Sequence, residues 1–518
     1  MIFKRFFIAS VLIIVLLACS KEKVFGPAEP FKEETFNIFP KPTLSANEGA
    51  GQQTGWVGDV MPYFANGQFE IFFLHDAPDR VKQSSSGQHP IHKFTSKNLL
   101  DFSYEGEVIP YGDKTTQDHL IGTGSVVRAG ELNYFYFTGH NASNSWLQNS
   151  NPGWTNSNSR EAVMYATSNN LNNWTKKQGF LLKAPQGYSA NDFRDPYVFY
   201  NTEFSEYWML ISAQKQGKGV ILVYKTTNPA NDQWLLRGEL NVEGDYLMLE
   251  CADIFKIEDK YYMLFAEDWS GTPGTHYRVA SSTAGPWLKP ADGRDMFDGY
   301  QFYAGRSASN GTDRFAFGWA HRRNSENDNG SKTWAGNLIT HQIFKLSNGK
   351  LGVKSPAAVN SYFTKETDPV VETQSGMVSN TGGNYVLTGT SAKAMYKFGA
   401  ISGSTKIKGS LSLGNLTGTA AIGLNTKADN SSYMIRFEPA AQRIAAYNNG
   451  EEITRVPFKL EAGKNYNFSI VIDGSVAVLY VNDEVALTNR IYSLQGNAWS
   501  LSADNNQLNV GGLKIIKH

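Results

Sequence analysis

Short apolar runs of strand length recur along the first two thirds of the chain, and polar turns separate them. Five segments share one order: an apolar strand, a polar turn, and a second strand rich in aromatic residues. Stretches with helical periodicity are nearly absent, which disfavours α/β folds. The five segments are DVMPYFANGQFEIFFLHD (59–76), GTGSVVRAGELNYFYFTGHN (122–141), RDPYVFYNTEFSEYWMLISA (194–213), ECADIFKIEDKYYMLFAEDW (250–269) and QFYAGRSASNGTDRFAFGWAH (301–321).

Each of these segments is followed by another strand and often by a similar turn, so the repeat corresponds to a four-stranded unit. Five such units predict a five-bladed β-propeller. In that fold the first strand of each blade lines the central channel. Residues at the starts of those strands therefore converge, although they lie far apart in the sequence. We assign residues 52–356 to the propeller.

A different pattern begins after the propeller. A linker, residues 357–373, leads into a region, 374–518, in which apolar and polar residues alternate, as in NYNFSIVIDGSVAVLYVNDEVAL (465–487). Turn signals such as Asp473-Gly474 separate the predicted strands. The pattern is typical of an antiparallel β-sandwich. The predicted fold class is all-β: a five-bladed β-propeller followed by a C-terminal β-sandwich.

The N-terminus resembles a targeting segment. Lys4 and Arg5 precede a short apolar run that ends at Cys19, and the run is too short for a comfortable transmembrane helix. Leu-Leu-Ala-Cys-Ser (16–20) resembles a bacterial lipobox, in which the cysteine is lipidated after cleavage. We therefore expect a lipoprotein signal peptide at 1–19, a tether at 20–51, and a lipid-anchored, extracytoplasmic protein of the bacterial cell envelope, at the outer membrane or the periplasmic face. A simple secretory signal or an uncleaved anchor is the alternative.

The overall charge argues against one class of partner. The 518 residues include 48 Lys and Arg and 48 Asp and Glu, so a nucleic-acid-binding surface is not expected. Aromatic residues make up 13% of the chain and suit both a β-rich core and stacking on sugars. His89 and His92 lie in a Ser/Gly/Gln-rich stretch without further ligands, so we predict solvated surface there and no metal. We expect no cofactor and a monomer.

Three carboxylates stand at or just ahead of the predicted channel strands. They are Asp59 of the first blade, Asp195 of the third, and Glu250 of the fourth. Three acids that meet in a polar funnel form the constellation that a glycosidase requires: one attacks or activates water, one protonates the leaving oxygen, and another holds the sugar. A half-buried acid beside another carboxylate has a raised pKa, which suits Glu250 to the role of general acid.

From about Gly55 to its C-terminus the chain resembles glycoside hydrolase family 32, the β-fructosidases. RDP (194–196) is similar to the family's middle motif, and EC (250–251) to the opening of its third. The resemblance implies a retaining catalytic domain acting on fructans or fructo-oligosaccharides. It implies Asp59 as nucleophile, Glu250 as acid/base, and Asp195 as transition-state stabiliser, with Arg194 binding substrate hydroxyls.

The first motif departs from the family pattern. The family's W-M-N-D-P-N-G is replaced by WVGDVMP (56–62), in which the Trp and Asp remain but both Asn are lost. Two alternatives therefore stay open: an inverting propeller furanosidase of the arabinanase/xylosidase type, and a non-catalytic glycan-binding propeller. Further candidates for contact with substrate are Trp56, Ser125, Trp146, Trp154 and Trp269.

Overall fold

The structure is a computed structural model that describes residues 36–42, 55–76, 88–143, 146 and 160–518. The predicted signal peptide with Cys19, most of the predicted tether, and Trp154 lie outside the described residues. Strands account for 58% of the residues and helices for 4%. Within the described part of the chain, no helix is both long enough and apolar enough to cross a membrane.

Five successive antiparallel sheets form the blades of a propeller. β1–β4 form blade one, β5–β8 blade two, β9–β12 blade three, β13–β15 blade four and β16–β19 blade five. Their bounds are β1 Trp56–Ala65, β2 Gln68–Asp76, β3 Ile91–Ser96, β4 Ser103–Ile109, β5 Leu120–Ala129, β6 Leu132–His140, β7 Glu161–Ser168, β8 Thr175–Lys176, β9 Phe193–Asn201, β10 Glu206–Lys215, β11 Lys218–Thr226, β12 Leu235–Glu239, β13 Glu250–Ile257, β14 Lys260–Glu267, β15 Gly274–Ala280, β16 Phe302–Ser309, β17 Arg314–Arg323, β18 Lys332–Lys345 and β19 Leu351–Lys354.

Blade four differs from the others because its sheet holds three strands. The position of its outer strand is marked by a single bridge between Val279 and Leu288. The ring of blades is joined where the first strand meets the last blade, through the pairing of Val57 in β1 with Gly336 in β18. Short 3-10 turns occur at Pro229–Asn231 and Asn324–Glu326.

Two antiparallel sheets follow and pack face to face around a second apolar core. One has the strand order β22-β23-β34-β25-β30-β31-β32, and the other β21-β24-β33-β26-β27-β28-β29. The bounds are α1 Ala357–Tyr362, β20 Lys365–Thr367, β21 Val371–Ser375, β22 Met377–Thr381, β23 Asn384–Thr388, β24 Ala394–Ala400, β25 Thr405–Leu413, β26 Thr419–Thr426, β27 Tyr433–Glu438, a 3-10 turn Pro439–Ala441, β28 Arg443–Asn448, β29 Glu451–Pro457, β30 Tyr466–Asp473, β31 Val476–Val481, β32 Val485–Arg490, β33 Ala498–Asp504 and β34 Gln507–Lys517. The predicted all-β fold, a propeller followed by a sandwich, is confirmed.

The propeller and the sandwich share a buried, mostly apolar joint. Leu264 and Ile339 of the propeller belong to the same cluster as Val478 of the sandwich. At the centre of the joint the buried carboxylate of Asp298 accepts hydrogen bonds from the Thr488 main-chain N–H (2.8 Å) and hydroxyl (2.6 Å). Because this charge is fully hydrogen-bonded, it fixes the orientation of the two domains without leaving an unpaired group.

Two segments that the sequence marks as connections contain ordered structure. Within the predicted linker (357–373) lie α1, β20 and the start of β21, and β20 pairs with β34 of the sandwich. Within the predicted tether (20–51), residues 36–42 pack against the joint. Their position follows from three main-chain N–H groups, of Asn37, Ile38 and Phe39, that donate to the carboxylate of Asp473.

Candidate active site

The innermost strand of every blade carries a β-bulge near its start. The register of the ladder shifts between Val57 and Val60 in β1, and at equivalent places in β5, β9, β13 and β16. A bulge turns a side chain away from the regular alternation of a strand. The residues within these bulges include Asp59, Thr123, Asp195, Cys251 and Ala304, one from each blade. The five bulges therefore aim five side chains at one end of the central channel.

Asp59 has both carboxylate oxygens held by neighbouring blades. The Thr123 hydroxyl donates to Oδ2 at 2.6 Å, and Trp319 Nε1 donates to Oδ1 at 3.2 Å. Burial raises the pKa of Asp59, while these two hydrogen bonds and the positive charge of Arg306 act in the opposite direction. The carboxylate is thus fixed in one orientation and its ionised form receives specific support.

Glu250 is held from two sides and remains 19% exposed. Arg194 donates to Oε1 from Nη2 at 3.0 Å, and the Tyr303 hydroxyl donates to Oε2 at 2.9 Å. Burial raises the pKa of Glu250 to about 7, aided by the negative charges of Asp195 and Asp59 and opposed by Arg194. A carboxyl group of this kind carries a proton near neutral pH and can release it, as a general acid/base must.

Asp195 is almost completely buried between blades three and four. Its Oδ2 accepts a hydrogen bond from the Cys251 main-chain N–H at 3.1 Å, and its own N–H donates to the Thr138 hydroxyl at 2.9 Å. Burial raises the pKa of Asp195, and the charge of Asp59 acts in the same direction, whereas the guanidinium of Arg194 opposes the shift. The charge of Arg194 therefore opposes the raised pKa values of both Asp195 and Glu250, and its guanidinium donates hydrogen bonds to Glu250.

The other residues predicted to contact substrate differ in whether they bond to the acids. Arg194 lies among the acids, as described above. Ser125 accepts a hydrogen bond from the Val198 N–H (2.8 Å), which links blade two to blade three. One face of Trp56 is covered by the guanidinium of Arg322, 3.9 Å from the ring centroid. Neither of these two residues has a hydrogen bond to the acids among those found in the described chain.

The prediction of solvated histidines is wrong for His92. This residue lies buried in β3, and its Nδ1 is 2.6 Å from the Tyr104 hydroxyl. Cys251 is buried, and burial raises the pKa of its thiol well above the usual range, which agrees with a packed thiol beside the acids. Within the described ranges, no group of three or more His, Cys, Asp or Glu side chains is arranged to hold a metal ion.

Sequence reasoning missed the residues that organise the acids. Thr123 and Trp319 hold Asp59, Tyr303 holds Glu250, and Arg306 bonds to three main-chain carbonyls around the channel. All four lie in two of the five repeated segments, 122–141 and 301–321. Alignment of the repeats places Thr123 at the position in blade two that is equivalent to Asp59 in blade one. Nothing in a single sequence shows that blade five supplies the remaining partners.

The altered first motif has a local structural explanation. Gly58, which stands where the family motif has Asn, lies directly beneath the ring of Trp334. A Cβ atom built on Gly58 would come within 2.0 Å of Trp334 Cη2 and 2.5 Å of Cζ2. Trp334 also packs edge-to-face on Trp319, with ring centroids 5.8 Å apart. The glycine is therefore required by an indole ring that forms part of the wall beside Asp59.

Together these features define a class of site. A carboxyl group whose pKa is raised to about 7, a second carboxylate with both oxygens held by donors, and a third buried acid that feels the charge of an arginine occur at one end of a five-bladed propeller. This is the arrangement that cleavage of a glycosidic bond requires.

The comparisons with known proteins agree with this class. Residues 52–355 match the glycosyl hydrolases family 32 N-terminal domain, and residues 349–515 match the GH32, BT1760-like, C-terminal domain. The chain belongs to glycoside hydrolase family 32, which confirms the resemblance seen in the sequence.

Individual relatives are distant. The chain is 28% identical over 317 residues to sucrose-6-phosphate hydrolase from Escherichia coli, covering 57% of this chain and 61% of that protein. It is 29% identical over 311 residues to raffinose invertase from Escherichia coli, covering 56% and 60%. The chain thus spans about three fifths of the length of these curated relatives. The crystal structure of exo-inulinase from Aspergillus awamori superposes with a TM-score of 0.68 at 17% identity, covering 95% of this chain and 99% of that one, and shows a shared fold.

We expect that the contact between Gly58 and Trp334 can be measured as a coupling. Gly58→Ala should displace the indole ring and lower the free energy of unfolding by about 1–3 kcal/mol, the usual effect of overpacking. In a Trp334→Ala background the same substitution should cost much less, because the colliding ring is gone. Chemical unfolding of the four proteins measures this coupling.

Gly179→Ala is the matched control, since a Cβ at that position meets no atom within 4 Å. Equal costs of Gly58→Ala in both backgrounds would contradict the proposed contact.

Proposed function

We propose that the protein is a β-fructofuranosidase that cleaves β-fructofuranosyl linkages in fructans or fructo-oligosaccharides with retention of configuration. The observation that carries the proposal is that two carboxyl groups with different surroundings meet in one funnel. Two neutral side-chain donors hold Asp59, whereas burial and the negative charges of Asp195 and Asp59 raise the pKa of Glu250 to about 7. A carboxylate whose ionised form is supported by donors suits a nucleophile, and a carboxyl group that keeps a proton near neutral pH suits a general acid/base.

In the first step, Glu250 transfers its proton to the glycosidic oxygen while an oxygen of Asp59 attacks the anomeric carbon. The bond from that carbon to the leaving oxygen breaks as the bond to Asp59 forms. In the second step, the Glu250 carboxylate removes a proton from water, the water oxygen attacks the same carbon, and Asp59 leaves as a carboxylate. Two displacements return the original configuration.

Arg194 and Asp195 support this reaction from beside the acid. Asp195 is positioned to bind hydroxyl groups of the fructosyl ring, and its negative charge stabilises the oxocarbenium-like transition state. Arg194 holds Glu250 in place, with 3.0 Å between Nη2 and Oε1, and compensates its charge after the proton has left. The same guanidinium binds Asp192 at 3.1 Å, which anchors it at the rim of blade three.

The relatives support the choice of substrate. Their names refer to sucrose 6-phosphate, raffinose and inulin, and each of these compounds contains a fructofuranosyl unit. Membership of family 32 favours this class over the arabinanase-type alternative. The presence of all three acids favours an enzyme over a glycan-binding module.

The proposal also covers location and assembly. The lipobox-like sequence that ends in Cys19-Ser20 supports a lipoprotein of the bacterial cell envelope, anchored by lipid at the outer membrane or the periplasmic face. We further propose that the protein is a monomer. No cofactor is required by the reaction as written.

We expect the pH dependence of kcat/KM to report the proton on Glu250. Since the acid must be protonated to act, the rate should fall as pH rises through about 7. The charge of Asp195 contributes to the raised pKa of Glu250, so Asp195→Asn should lower that pKa and move the alkaline limb to lower pH. The rate of fructoside hydrolysis by the unaltered protein and by Asp195→Asn, measured from pH 4 to 9, tests the direction of this shift.

Asp245→Asn serves as the control, because the Asp245 side chain is 84% exposed and its carboxylate pairs with Lys218. An alkaline limb that stays in place in Asp195→Asn would contradict the assigned coupling between the two acids.

The reaction itself is tested with Glu250→Gln. The unaltered protein should release fructose from levan, inulin or sucrose and leave arabinan intact. The variant should lose about 10²–10⁴ in rate on these substrates, and less on an activated aryl fructoside whose leaving group needs no proton. Added azide should then give a fructosyl azide of unchanged anomeric configuration, detectable by NMR. An azide of inverted configuration would exclude the retaining mechanism.

The anchor is tested by fractionation of cells that express Cys19→Ala. Lipidation requires the Cys19 thiol, so the variant should move from the membrane to the soluble fraction, while Ser20→Ala should remain bound. Radiolabelled fatty acid should label the unaltered protein and not the Cys19 variant. An unaltered protein that is already soluble after export would show that the lipobox assignment is wrong.

A further inference from the structure

His321 lies in β17, at the end of the fifth repeated segment, 301–321. The residue is 3% exposed, and neither of its ring nitrogens makes a hydrogen bond of normal geometry within the described part of the chain. A polar ring buried in this way costs free energy, so its presence calls for a reason other than hydrogen bonding. His321 has no part in the two displacements proposed above.

The strands of blade five bring three aromatic rings around His321. Tyr303 of β16 stands directly opposite Trp319 of β17, and His321 follows Trp319 on the same face of the strand. The His321 ring lies 4.5 Å from the Trp319 ring and 5.5 Å from the Tyr303 ring, centroid to centroid. Tyr300 contacts it as well, with 5.0 Å between centroids. The imidazole therefore fills the space between these three rings.

Two of these rings carry the donors that hold the catalytic acids. Trp319 Nε1 donates to Asp59 at 3.2 Å, and the Tyr303 hydroxyl donates to Glu250 at 2.9 Å. The two rings also meet edge to face, with 5.5 Å between their centroids. Rotation of either ring would turn its donor away from the carboxylate, and hydrogen bonds weaken steeply with such misalignment. His321 thus contacts both the donor to the nucleophile and the donor to the acid/base.

His321 occupies this place as an uncharged ring. Burial lowers the pKa of His321 to about 4. The charge of Asp268 and the main chain of Thr333 oppose this shift, whereas the charges of Arg323 and Arg490 reinforce it. The imidazole is therefore neutral near pH 7, and it acts on its neighbours by packing.

We propose that His321 is a positioning residue: by packing, it holds the rings of Trp319 and Tyr303 in the orientation in which they donate to the two catalytic carboxyl groups. The inference rests on the proposed β-fructofuranosidase function and adds to it one residue that acts on both the nucleophile and the acid/base. A donor to a carboxylate stabilises its ionised form, so weakening both donors should raise both pKa values. A substitution at residue 321 should therefore move both limbs of the pH–rate profile.

The pH dependence of kcat/KM for fructoside hydrolysis by the full chain carrying His321→Ala tests this role. The acid limb reports the proton on Asp59 and the alkaline limb the proton on Glu250. Both limbs should move to higher pH by about 0.5–1 unit, because hydrogen bonds to charged groups are weakened. The value of kcat should fall by about tenfold or more, whereas KM should change less, because the acids are misaligned and the sugar contacts are kept.

Partial unfolding predicts a different result. Loss of active protein at both extremes of pH narrows the profile, whereas loss of the two donors shifts both limbs in one direction. His321→Val leaves a smaller space than His321→Ala and should shift both limbs in the same direction by less, so it supplies the measurement if the alanine variant does not fold. Chemical unfolding of each variant, measured in parallel, shows which of them are folded.

Two reference variants assign each limb to one donor. Trp319→Phe removes the donor to Asp59 and should move chiefly the acid limb, and Tyr303→Phe removes the donor to Glu250 and should move chiefly the alkaline limb. In the Tyr303→Phe background, His321→Ala should no longer move the alkaline limb, because the bond on which it acts is already gone. His321→Phe keeps a neutral ring between the neighbours and should restore most of the profile.

His341→Ala is the matched control for the loss of a buried histidine. His341 lies in β18 of the same blade, its ring is 4.8 Å from the Phe302 ring, and its Nε2 is 2.9 Å from Asp298 at the joint with the sandwich. It does not contact the rings that hold the acids through any of these interactions. His341→Ala should lower the free energy of unfolding and leave both limbs in place.

The positioning role and the function on which it rests can fail separately. Limbs that stay in place in His321→Ala, that move to lower pH, or that approach each other overturn the positioning role alone. The same holds for an equal shift of the alkaline limb with and without the Tyr303 hydroxyl, and for a His321→Phe profile that matches that of His321→Ala. If the unaltered protein hydrolyses none of levan, inulin and sucrose, the β-fructofuranosidase function and the inference fall together.

Discussion

The guanidinium of Arg306 is buried at the centre of the propeller and joins four of its five blades. It donates to the main-chain carbonyls of Cys251 (3.2 Å), Asp195 (2.9 Å) and Gly124. Those carbonyls belong to the bulges, or their neighbours, in blades four, three and two, whereas Arg306 belongs to blade five. A buried charge is tolerated only when its donors are satisfied, so the spacing of these inner strands is set by the size of one side chain. The same charge opposes the raised pKa values of Asp59 and Asp195.

Around this cation the three acids differ because their surroundings differ. Asp59 accepts two side-chain hydrogen bonds, Asp195 is buried against a main-chain N–H, and Glu250 accepts a hydrogen bond from Arg194 while its side chain remains 19% exposed. Groups of the same chemical type thereby acquire different affinities for a proton. The division of labour in the proposed mechanism is therefore a property of contacts between blades, and a change in the register of one inner strand would alter more than one acid.

Much of the architecture could be predicted because the blades repeat a pattern that depends on local alternation. The repeat also placed Asp59, Asp195 and Glu250 near the starts of the inner strands, so their convergence followed from the fold. Asp59 and Asp195 lie within their bulges, whereas Glu250 precedes the bulge that holds Cys251. Their hydrogen-bond partners could not be predicted in the same way. Trp319 is distant from Asp59 in the sequence but belongs to blade five, which adjoins blade one in the ring, and the need for glycine at residue 58 arises from Trp334. Such contacts depend on how the ring closes between β1 and β18, which a single sequence does not encode in any local pattern.

The bulge shared by the five inner strands has a consequence for how such a funnel can diversify. Each bulge directs one side chain towards the channel, where Thr123, Asp195, Cys251 and Ala304 are buried next to the acids. The five positions hold Asp59, Thr123, Asp195, Cys251 and Ala304, so three of them are polar and two are small. A substitution at one of these places alters the funnel without changing the alternation that builds the blade. The five bulge positions can therefore change residue one at a time, while the strand pattern that builds the blades is kept.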